Sequence, residues 1–274
     1  MKMKKVIGGV LATVAALGCA ATMTACETSR PEVEIVLTFQ GEEYELNYTL
    51  YRKVAPATVE HFLTLAEEGY YTNQNICVHD FADSRMYMGA YKYENETLVY
   101  QNYYDIVKGY ENFSATVFTD KESKTPTYTL YGEFASNKFS VENGKKSETY
   151  GSLTMYYTNK SSEDRVFVDH PEAGEATRDY KYNSATSQFF ISLTEADKSN
   201  SSYCTFATLD ESDVDTLKAL QAAVEEYAAD EDGVNQITVD VDEDDRYVGQ
   251  QGNAQTYDVL TSPVVIKSVT VKKF

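Results

Sequence analysis

Alternating apolar and polar residues predict a pair of strands near the start of the main part of the chain. In residues 33–39 apolar side chains occupy the odd positions, and in residues 44–50 they occupy the even positions. The polar segment 40–43 between them contains Gly41. A period of two places successive side chains on opposite faces of a strand. We therefore predict a β-hairpin over residues 33–50.

Two later segments have the spacing of amphipathic helices. The first, residues 56–66, begins at a proline and has Gly69 just beyond its end, as helices often do. Its apolar positions are Val59, Phe62, Leu63 and Ala66. The second follows a candidate N-cap, Ser212 or Asp213. Its apolar positions are Val214, Leu217, Leu220 and Val224.

The rest of the chain is rich in strand-forming residues. Residues 264–271 are mostly β-branched and follow Pro263, which favours a closing strand. Between the two helical segments, Tyr, Thr, Phe and Val occur in short runs. Many strands with two helices predict a mainly β fold, either a barrel or a sandwich.

The N-terminus has the features of a secretory signal. Lys2, Lys4 and Lys5 precede an uncharged stretch over residues 6–22. This stretch is diluted by small residues and is shorter than the roughly 20 strongly apolar residues that a transmembrane helix needs. We therefore expect a cleaved leader.

Small residues directly before Cys26 resemble the lipobox of bacterial lipoproteins. The resemblance implies that the Cys26 thiol is acylated, that residues 1–25 are removed, and that residues 26–32 form a lipidated tether. Cys19 is an alternative site, and an ordinary cleaved signal is another alternative. Cys26 is favoured because a polar segment follows it. We expect the protein to be lipid-anchored at the extracytoplasmic face of the cell membrane.

The chain is strongly acidic. Its formal charge is -19, and removal of the three leader lysines makes it -22. Such a surface repels phosphate backbones, so nucleic acid is not an expected partner. No glycine-rich or serine-rich linker divides residues 33–274, which we interpret as one domain.

Metal binding is not indicated by the sequence. Acidic residues cluster at 230–232 and 240–245, but Ala228 stands where an EF-hand loop would need an oxygen ligand. A solvated acidic loop is the better interpretation. Cys77 and Cys204 permit one disulfide outside the cell, and no Cys or His spacing is typical of zinc. We expect no metal.

Several runs of residues, in order along the chain, resemble cyclophilins, the peptidyl-prolyl cis-trans isomerases. They are residues 55–62, 69–71, 78–79, 131–134, 151–155, 187–191 and 203–206. The resemblance implies a closed antiparallel barrel capped by two α-helices. It also implies insertions near residues 91–127, 159–182 and 229–258, and an activity that uses neither a metal nor a cofactor.

The resemblance also indicates which residues form a peptide-binding cleft. Met86 and Phe190 match the apolar wall of the family's proline pocket, and Gln188 and Phe189 match the strand beside it. At the other positions this chain departs from the family. Asp80 stands where the family has its catalytic arginine, and Arg85 stands where it has a pocket phenylalanine. Met88 replaces the glutamine that binds the peptide backbone. Ser199 replaces an apolar pocket residue, and Tyr203 replaces a histidine.

Three further residues have their own interpretations. Tyr156 either rims the peptide groove or only covers the barrel. Phe189 is expected in the core, because adjacent residues of a strand face opposite sides. His61 is expected on the solvated face of the first helix.

The departures at the cleft predict weak catalysis. Rotation about a prolyl bond has a barrier of about 18–20 kcal/mol, and an isomerase lowers it with a donor that binds the twisted amide most tightly. An ionised Asp80 cannot donate. Either Arg85 replaces the missing guanidinium, or Arg85 pairs with Asp80 and the cleft only binds peptides.

We therefore expect an extracytoplasmic cyclophilin-type isomerase of weak or altered activity that acts on proline-containing segments of exported proteins. Two alternatives remain. One is a non-catalytic peptide-binding or chaperone module that uses the same cleft. The other is a surface interaction protein that binds through its tyrosine-rich insertions.

Overall fold

An eight-stranded antiparallel sheet organises the chain. The computed structural model describes residues 28–72, 78–80, 84–101, 103–111, 119–120, 128, 130, 132–134, 146–157, 165–170, 174–179, 185–195, 203–239 and 255–274. The strands are β1 (Glu32–Phe39), β2 (Glu42–Leu50), β3 (Val78–Asp80), β4 (Arg85–Met88), β5 (Tyr91–Glu94), β6 (Thr97–Tyr100), β7 (Thr119–Asp120), β8 (Leu153–Tyr157), β9 (Arg165–His170), β10 (Gly174–Asp179), β11 (Ala185–Ser192), β12 (Cys204–Leu209), β13 (Val234–Val239), β14 (Gln255–Leu260) and β15 (Val265–Lys273). The helices are α1 (Pro56–Glu67), α2 (Tyr103–Val107) and α3 (Val214–Ala228).

The predicted hairpin and closing strand are confirmed. β1 pairs with β2 along its whole length, and its other edge pairs with β15. The odd-numbered apolar residues of β1 are buried in the main core, as the period of two requires. The first and last strands of the domain therefore lie side by side.

The closed barrel that the resemblance implies is not confirmed. The strand order of the large sheet is β15-β1-β2-β12-β8-β11-β4-β3, and within the described residues no ladder joins β15 to β3. β3 has three residues, and it packs against β14, a strand of the third predicted insertion. The sheet is therefore open between these two edges.

Helix α1 covers one side of the sheet, as predicted. Phe62 is fully buried, and its ring lies 5.4 Å from that of Phe189 and 5.1 Å from that of Phe206. Aromatic pairs at such distances stabilise a core beyond the area that they bury. The apolar spacing of residues 56–66 therefore reflects packing against β11, β12 and β15.

A carboxylate far away in the sequence accepts hydrogen bonds from the N–H groups of the first turn of α1. The N-cap position is Ala55, which has no side-chain oxygen. Instead, the Glu133 carboxylate accepts hydrogen bonds from the backbone N–H groups of Ala57 (3.0 Å) and Thr58 (2.8 Å). Burial raises the pKa of Glu133, and these hydrogen bonds offset that effect only in part. The 132–134 segment thus fixes the start of α1.

The N-cap of α3 lies at Asp213, one of the two predicted positions, but its side chain has a different role. The carboxylate makes no hydrogen bond to the helix. It accepts one from the backbone N–H of Asn47 (2.7 Å) and one from its side-chain amide (2.9 Å). Asp213 therefore ties α3 to β2.

The expectation that His61 is solvated is wrong. His61 is 0% exposed, and its Nε2 lies 3.2 Å from the hydroxyl of Tyr103 in α2. Helix α2 belongs to the predicted insertion at 91–127, and this segment covers the outward side of α1. The helix pattern alone could not show that an insertion would bury this face.

The three predicted insertions contain strands of their own. β5 pairs with β6, β13 pairs with β14, and β9 lies between β7 and β10. The first and third insertions also pack on each other, because the Tyr91 and Tyr257 hydroxyls lie 3.1 Å apart and Leu98 and Val259 share a small core. None of the helices in the described part of the chain is long and apolar enough to cross a membrane.

Candidate functional site

The pairing of β4 with β11 decides which residues face the cleft. Tyr87 stands opposite Phe190, and Arg85 stands opposite Ser192. Directly paired residues of an antiparallel ladder project to the same side of the sheet. Arg85, Tyr87 and Phe190 therefore share one face, which we call the cleft face.

Met86 and Met88 lie on the opposite face. Met86 is paired with Ile191 and Met88 with Phe189, and both methionines are buried in the main core. Phe189 is there too, as predicted, with its ring 5.5 Å from that of Tyr71. The structure thus places Phe190 together with Arg85 and does not place it with the two methionines. Successive residues of a strand face opposite sides, so Met86 and Met88 point away from the face that Arg85 and Phe190 share.

The Arg85 guanidinium lies on the ring of Phe190. Its Cζ is 4.5 Å from the Phe190 centroid and 5.1 Å from the Tyr203 centroid. The two rings are perpendicular, with centroids 5.5 Å apart, so the guanidinium sits in the corner between them. Both distances are within the range of a cation–π interaction. Phe190 is 0% exposed and Arg85 is 8% exposed.

A buried carboxylate holds this guanidinium from the side. Arg85 Nε donates to Glu148 Oε1 (3.2 Å), and Nη2 donates to Oε2 (3.0 Å). The Ser192 hydroxyl donates to the same Oε1 at 3.0 Å. Glu148 is fully buried. Bidentate pairs of this kind are strong and fix the plane of the guanidinium.

These contacts keep Arg85 charged. Burial alone lowers the pKa of the Arg85 guanidinium, but hydrogen bonds to Glu148 and to the Tyr87 side chain outweigh burial and raise it above its ordinary value. The cleft face therefore carries a permanent cation that is neutralised locally by Glu148.

A tight turn places Glu148 at the end of β11. The Gly151 N–H donates to the Ser192 carbonyl (2.7 Å), and the Ser192 N–H donates to the Ser152 carbonyl (3.1 Å). Gly151 has a φ of +77°, and a Cβ there would lie 2.7 Å from the Leu209 side chain. Only glycine combines this conformation with this close packing. The family-like run 151–155 thus also positions the carboxylate that binds Arg85.

Asp80 lies opposite Arg85 in the β3–β4 ladder. Its side chain lies outside the described residues, so the predicted Asp80–Arg85 ion pair stays a prediction. The same holds for the Tyr156 side chain, although its backbone belongs to β8. Cys26, Cys77 and Ser199 also lie outside the described residues.

The remaining cleft residues are partly accessible. Tyr203 is half-buried and contacts both Phe190 and Arg85. Gln188 is half-buried at an irregularity of the β8–β11 ladder. Cys204, next to Tyr203, is a free and buried thiol. Their roles in peptide binding stay predictions.

Sequence reasoning missed Glu148 and Tyr87. Glu148 is 63 residues from Arg85 in the sequence, and no local pattern links them. Tyr87 had a usable signal, because polar and apolar residues alternate in Arg85, Met86, Tyr87 and Met88. That alternation places the methionines in the core. Within the described residues, no group of three or more His, Cys, Asp or Glu side chains could hold a metal ion.

Two solved structures of cyclophilins are similar to this chain over most of its length. A cyclophilin-type isomerase from Cryptosporidium parvum is 16% identical and has a TM-score of 0.41, over 89% of this chain and 99% of that chain. The Mimivirus cyclophilin is 14% identical and has a TM-score of 0.45, over 90% of this chain and 91% of that chain. A comparison with curated proteins gives no match.

The sequence profile described as cyclophilin type peptidyl-prolyl cis-trans isomerase/CLD matches residues 35–241. This range extends from β1 to just past β13 and includes all the cleft residues described above. The chain belongs to the cyclophilin-type peptidyl-prolyl cis-trans isomerase family.

Proposed function

We propose that this protein is a lipid-anchored, extracytoplasmic cyclophilin-type isomerase of weak activity that acts on proline-containing segments of exported polypeptides. The family membership supports the reaction class. The position of Arg85 supports the weak activity, and this single observation carries the proposal.

The reason for weak activity is the position of the cationic donor. In the family a guanidinium stabilises the twisted amide, and Asp80 occupies the corresponding position in this chain. The guanidinium of Arg85 is engaged by the Glu148 carboxylate and lies on Phe190. Loss of one preorganised donor costs about a hundredfold to a thousandfold in rate.

The leader sequence supports the location. Residues 27–31 separate Cys26 from β1, which begins at Glu32, and the six residue steps from Cys26 to Glu32 span at most about 20 Å at roughly 3.3–3.6 Å per residue. A domain tethered this closely meets emerging chains at high effective concentration. A cleft with low intrinsic activity can therefore still act on exported polypeptides.

The bidentate Arg85–Glu148 pair favours a second candidate, a peptide-binding module without catalysis. A guanidinium whose charge is already neutralised gives little additional stabilisation to a twisting amide. In this case the cleft binds extended segments and releases them unchanged.

Isomerisation of a short Ala-Pro peptide distinguishes the two candidates. We expect slow catalysis by the wild type and faster catalysis by Asp80→Arg, which restores a donor at the family position. Arg85→Ala should not reduce the rate, because the Arg85 guanidinium is engaged by Glu148. Glu42→Arg makes the same charge change at an exposed position of the β1–β2 hairpin and serves as the control.

The rates of the wild type, Arg85→Ala and Asp80→Arg together decide between the two candidates. Loss of the residual rate in Arg85→Ala would contradict the proposed cause and make Arg85 the substitute donor. No turnover by the wild type or by Asp80→Arg, together with measurable peptide affinity, would favour the module without catalysis.

The location is tested by lipid labelling in a bacterial host. With radioactive palmitate, the wild type and Cys19→Ser should be labelled and should sediment with membranes. Cys26→Ser should lose both the label and the membrane association. Label that persists in Cys26→Ser would contradict the proposed anchor.

A further inference from the structure

The face of Phe190 that a prolyl ring would need is already occupied. The Arg85 guanidinium lies 4.5 Å from the Phe190 centroid, and the ring is fully buried. A flat guanidinium and a proline ring compete for the same aromatic surface, because each binds by stacking on it. A peptide can use this surface only after Arg85 has moved.

The Glu148 carboxylate holds the Arg85 guanidinium in this position. Without it, an arginine on the cleft face would be expected to extend its charged head into water. Here both carboxylate oxygens accept from the guanidinium, and the Ser192 hydroxyl fixes one of them. Breaking the pair would leave a fully buried carboxylate without its cation, which is costly.

The backbone around Glu148 is also fixed. Ser192, whose hydroxyl binds Glu148, is the cross-strand partner of Arg85. The turn that contains Gly151 is hydrogen-bonded to Ser192 in both directions. Arg85, Glu148, Ser192 and the turn at Gly151 are therefore joined by hydrogen bonds at the end of β11 and the start of β4.

We infer that Glu148 is a positioning residue that clamps the Arg85 guanidinium on Phe190 and thereby closes the proline-binding surface of the cleft. This inference rests on the proposed function, since it concerns the same site. It adds a specificity-determining residue outside the positions that correspond to the family cleft. Affinity for proline peptides is set by the Arg85–Glu148 pair.

The clamp has a spectroscopic signature that does not depend on activity. The chain contains six arginines, and the Arg85→Lys spectrum identifies the Arg85 signal in the full chain labelled with ¹⁵N-arginine and purified in detergent. In the wild type we expect the Arg85 Nε–H signal to be shifted by the ring current of Phe190 and protected from solvent exchange. Glu148→Gln should lose both properties.

Peptide affinity supplies the second readout. Glu148→Gln and Arg85→Ala should bind an Ala-Pro tetrapeptide at least about tenfold more tightly than the wild type, because the Phe190 surface is open. Glu43→Gln removes a carboxylate from an exposed ion pair with Lys267 and should change neither readout. A merely structural role of Glu148 would lower stability without raising affinity.

If Glu148→Gln does not fold, the double variant Arg85→Met/Glu148→Gln is used in its place, because it removes both charges of the pair. Unchanged affinity together with an unchanged Arg85 signal would overturn the inference. So would a loss of the signal without a gain in affinity. A gain in affinity with no turnover in any variant would instead reject the proposed catalysis and leave the clamp intact.

Discussion

Asp80 and Arg85 face each other across the β3–β4 ladder. Asp80, which we propose stands at the family's arginine position, and Arg85 therefore lie on adjacent strands. Neighbouring strands are about 4.8 Å apart. The Arg85 guanidinium pairs with the Glu148 carboxylate and lies on the Phe190 ring. The cation on the cleft face is thus paired with a buried carboxylate.

Gly89 is predicted to be intolerant of a side chain. It has a φ of +96°, and a Cβ would lie 2.2 Å from the Ser187 carbonyl oxygen. We expect Gly89→Ala to lower the free energy of unfolding by about 2 kcal/mol or more, because backbone strain and a clash with the backbone add together.

The matched control is Gly41→Ala, measured in the same urea titration. Gly41 has a similar φ of +88°, but a Cβ at this position would have no neighbouring atom within 4 Å. It should show only the strain of the positive φ, about 1 kcal/mol. Equal losses in the two variants would contradict the clash at Gly89.

Glu133 is predicted to stabilise the start of α1. Glu133→Ala removes the acceptor of the Ala57 and Thr58 N–H groups. We expect a loss of about 1–2 kcal/mol in thermal or urea unfolding, as for the removal of a helix cap. Glu67→Ala, at the exposed end of the same helix, should not destabilise the protein. A loss in Glu67→Ala as large as that in Glu133→Ala would show that the effect is not local.

Tyr48 is predicted to make stability fall at high pH. Its hydroxyl is buried and has no hydrogen-bond partner among the described residues. Burial, followed by the charges of Asp213 and Tyr150, raises its pKa above the ordinary 10.0. Above about pH 10 the unfolded chain releases this proton and the folded chain keeps it. The free energy of unfolding therefore decreases as the pH rises.

Tyr48→Phe should be neutral or stabilising by up to about 1 kcal/mol at pH 7, since it removes an unsatisfied polar group. It should also lose less stability than the wild type between about pH 9 and pH 11. Burial raises the pKa of Tyr71 as well, so part of the loss remains. Parallel losses in both proteins would refute the role of Tyr48.

Cys204 is predicted to be unreactive in the folded protein. Burial raises the pKa of its thiol, and its Sγ contacts Thr58 Oγ1 at 3.6 Å. In the Cys77→Ala variant, a water-soluble disulfide reagent should label Cys204 only after urea unfolds the chain, because the thiolate is the reactive form. Rapid labelling of the native protein at pH 8 would contradict this burial.

Local sequence patterns were sufficient for the elements of the fold. The β1–β2 hairpin follows from a period of two, and helix α1 follows from apolar spacing between Pro56 and Gly69. These patterns depend on residues close together in the chain. Closure of the sheet cannot be predicted in this way, because it depends on whether the edge strands β3 and β15, which are far apart in the sequence, pair with each other.

The chemistry of the cleft was only partly readable from the sequence. The resemblance located Arg85 and Phe190, but it could not give the face of each residue of β4, which depends on register with β11. It could not reveal Glu148 either, because that contact joins two distant segments. The burial of His61 could not be predicted from the helix pattern either, since Tyr103, which contacts it, comes from an insertion.

We propose that this family member isomerises prolyl bonds weakly because Asp80 stands at the family's arginine position and the Arg85 guanidinium is engaged by Glu148. The most direct measurement is kcat/KM for an Ala-Pro peptide, compared under the same conditions with a cyclophilin that retains the family arginine. We predict a value lower by about a hundredfold to a thousandfold. A value within about tenfold of that cyclophilin would contradict the proposed weak activity.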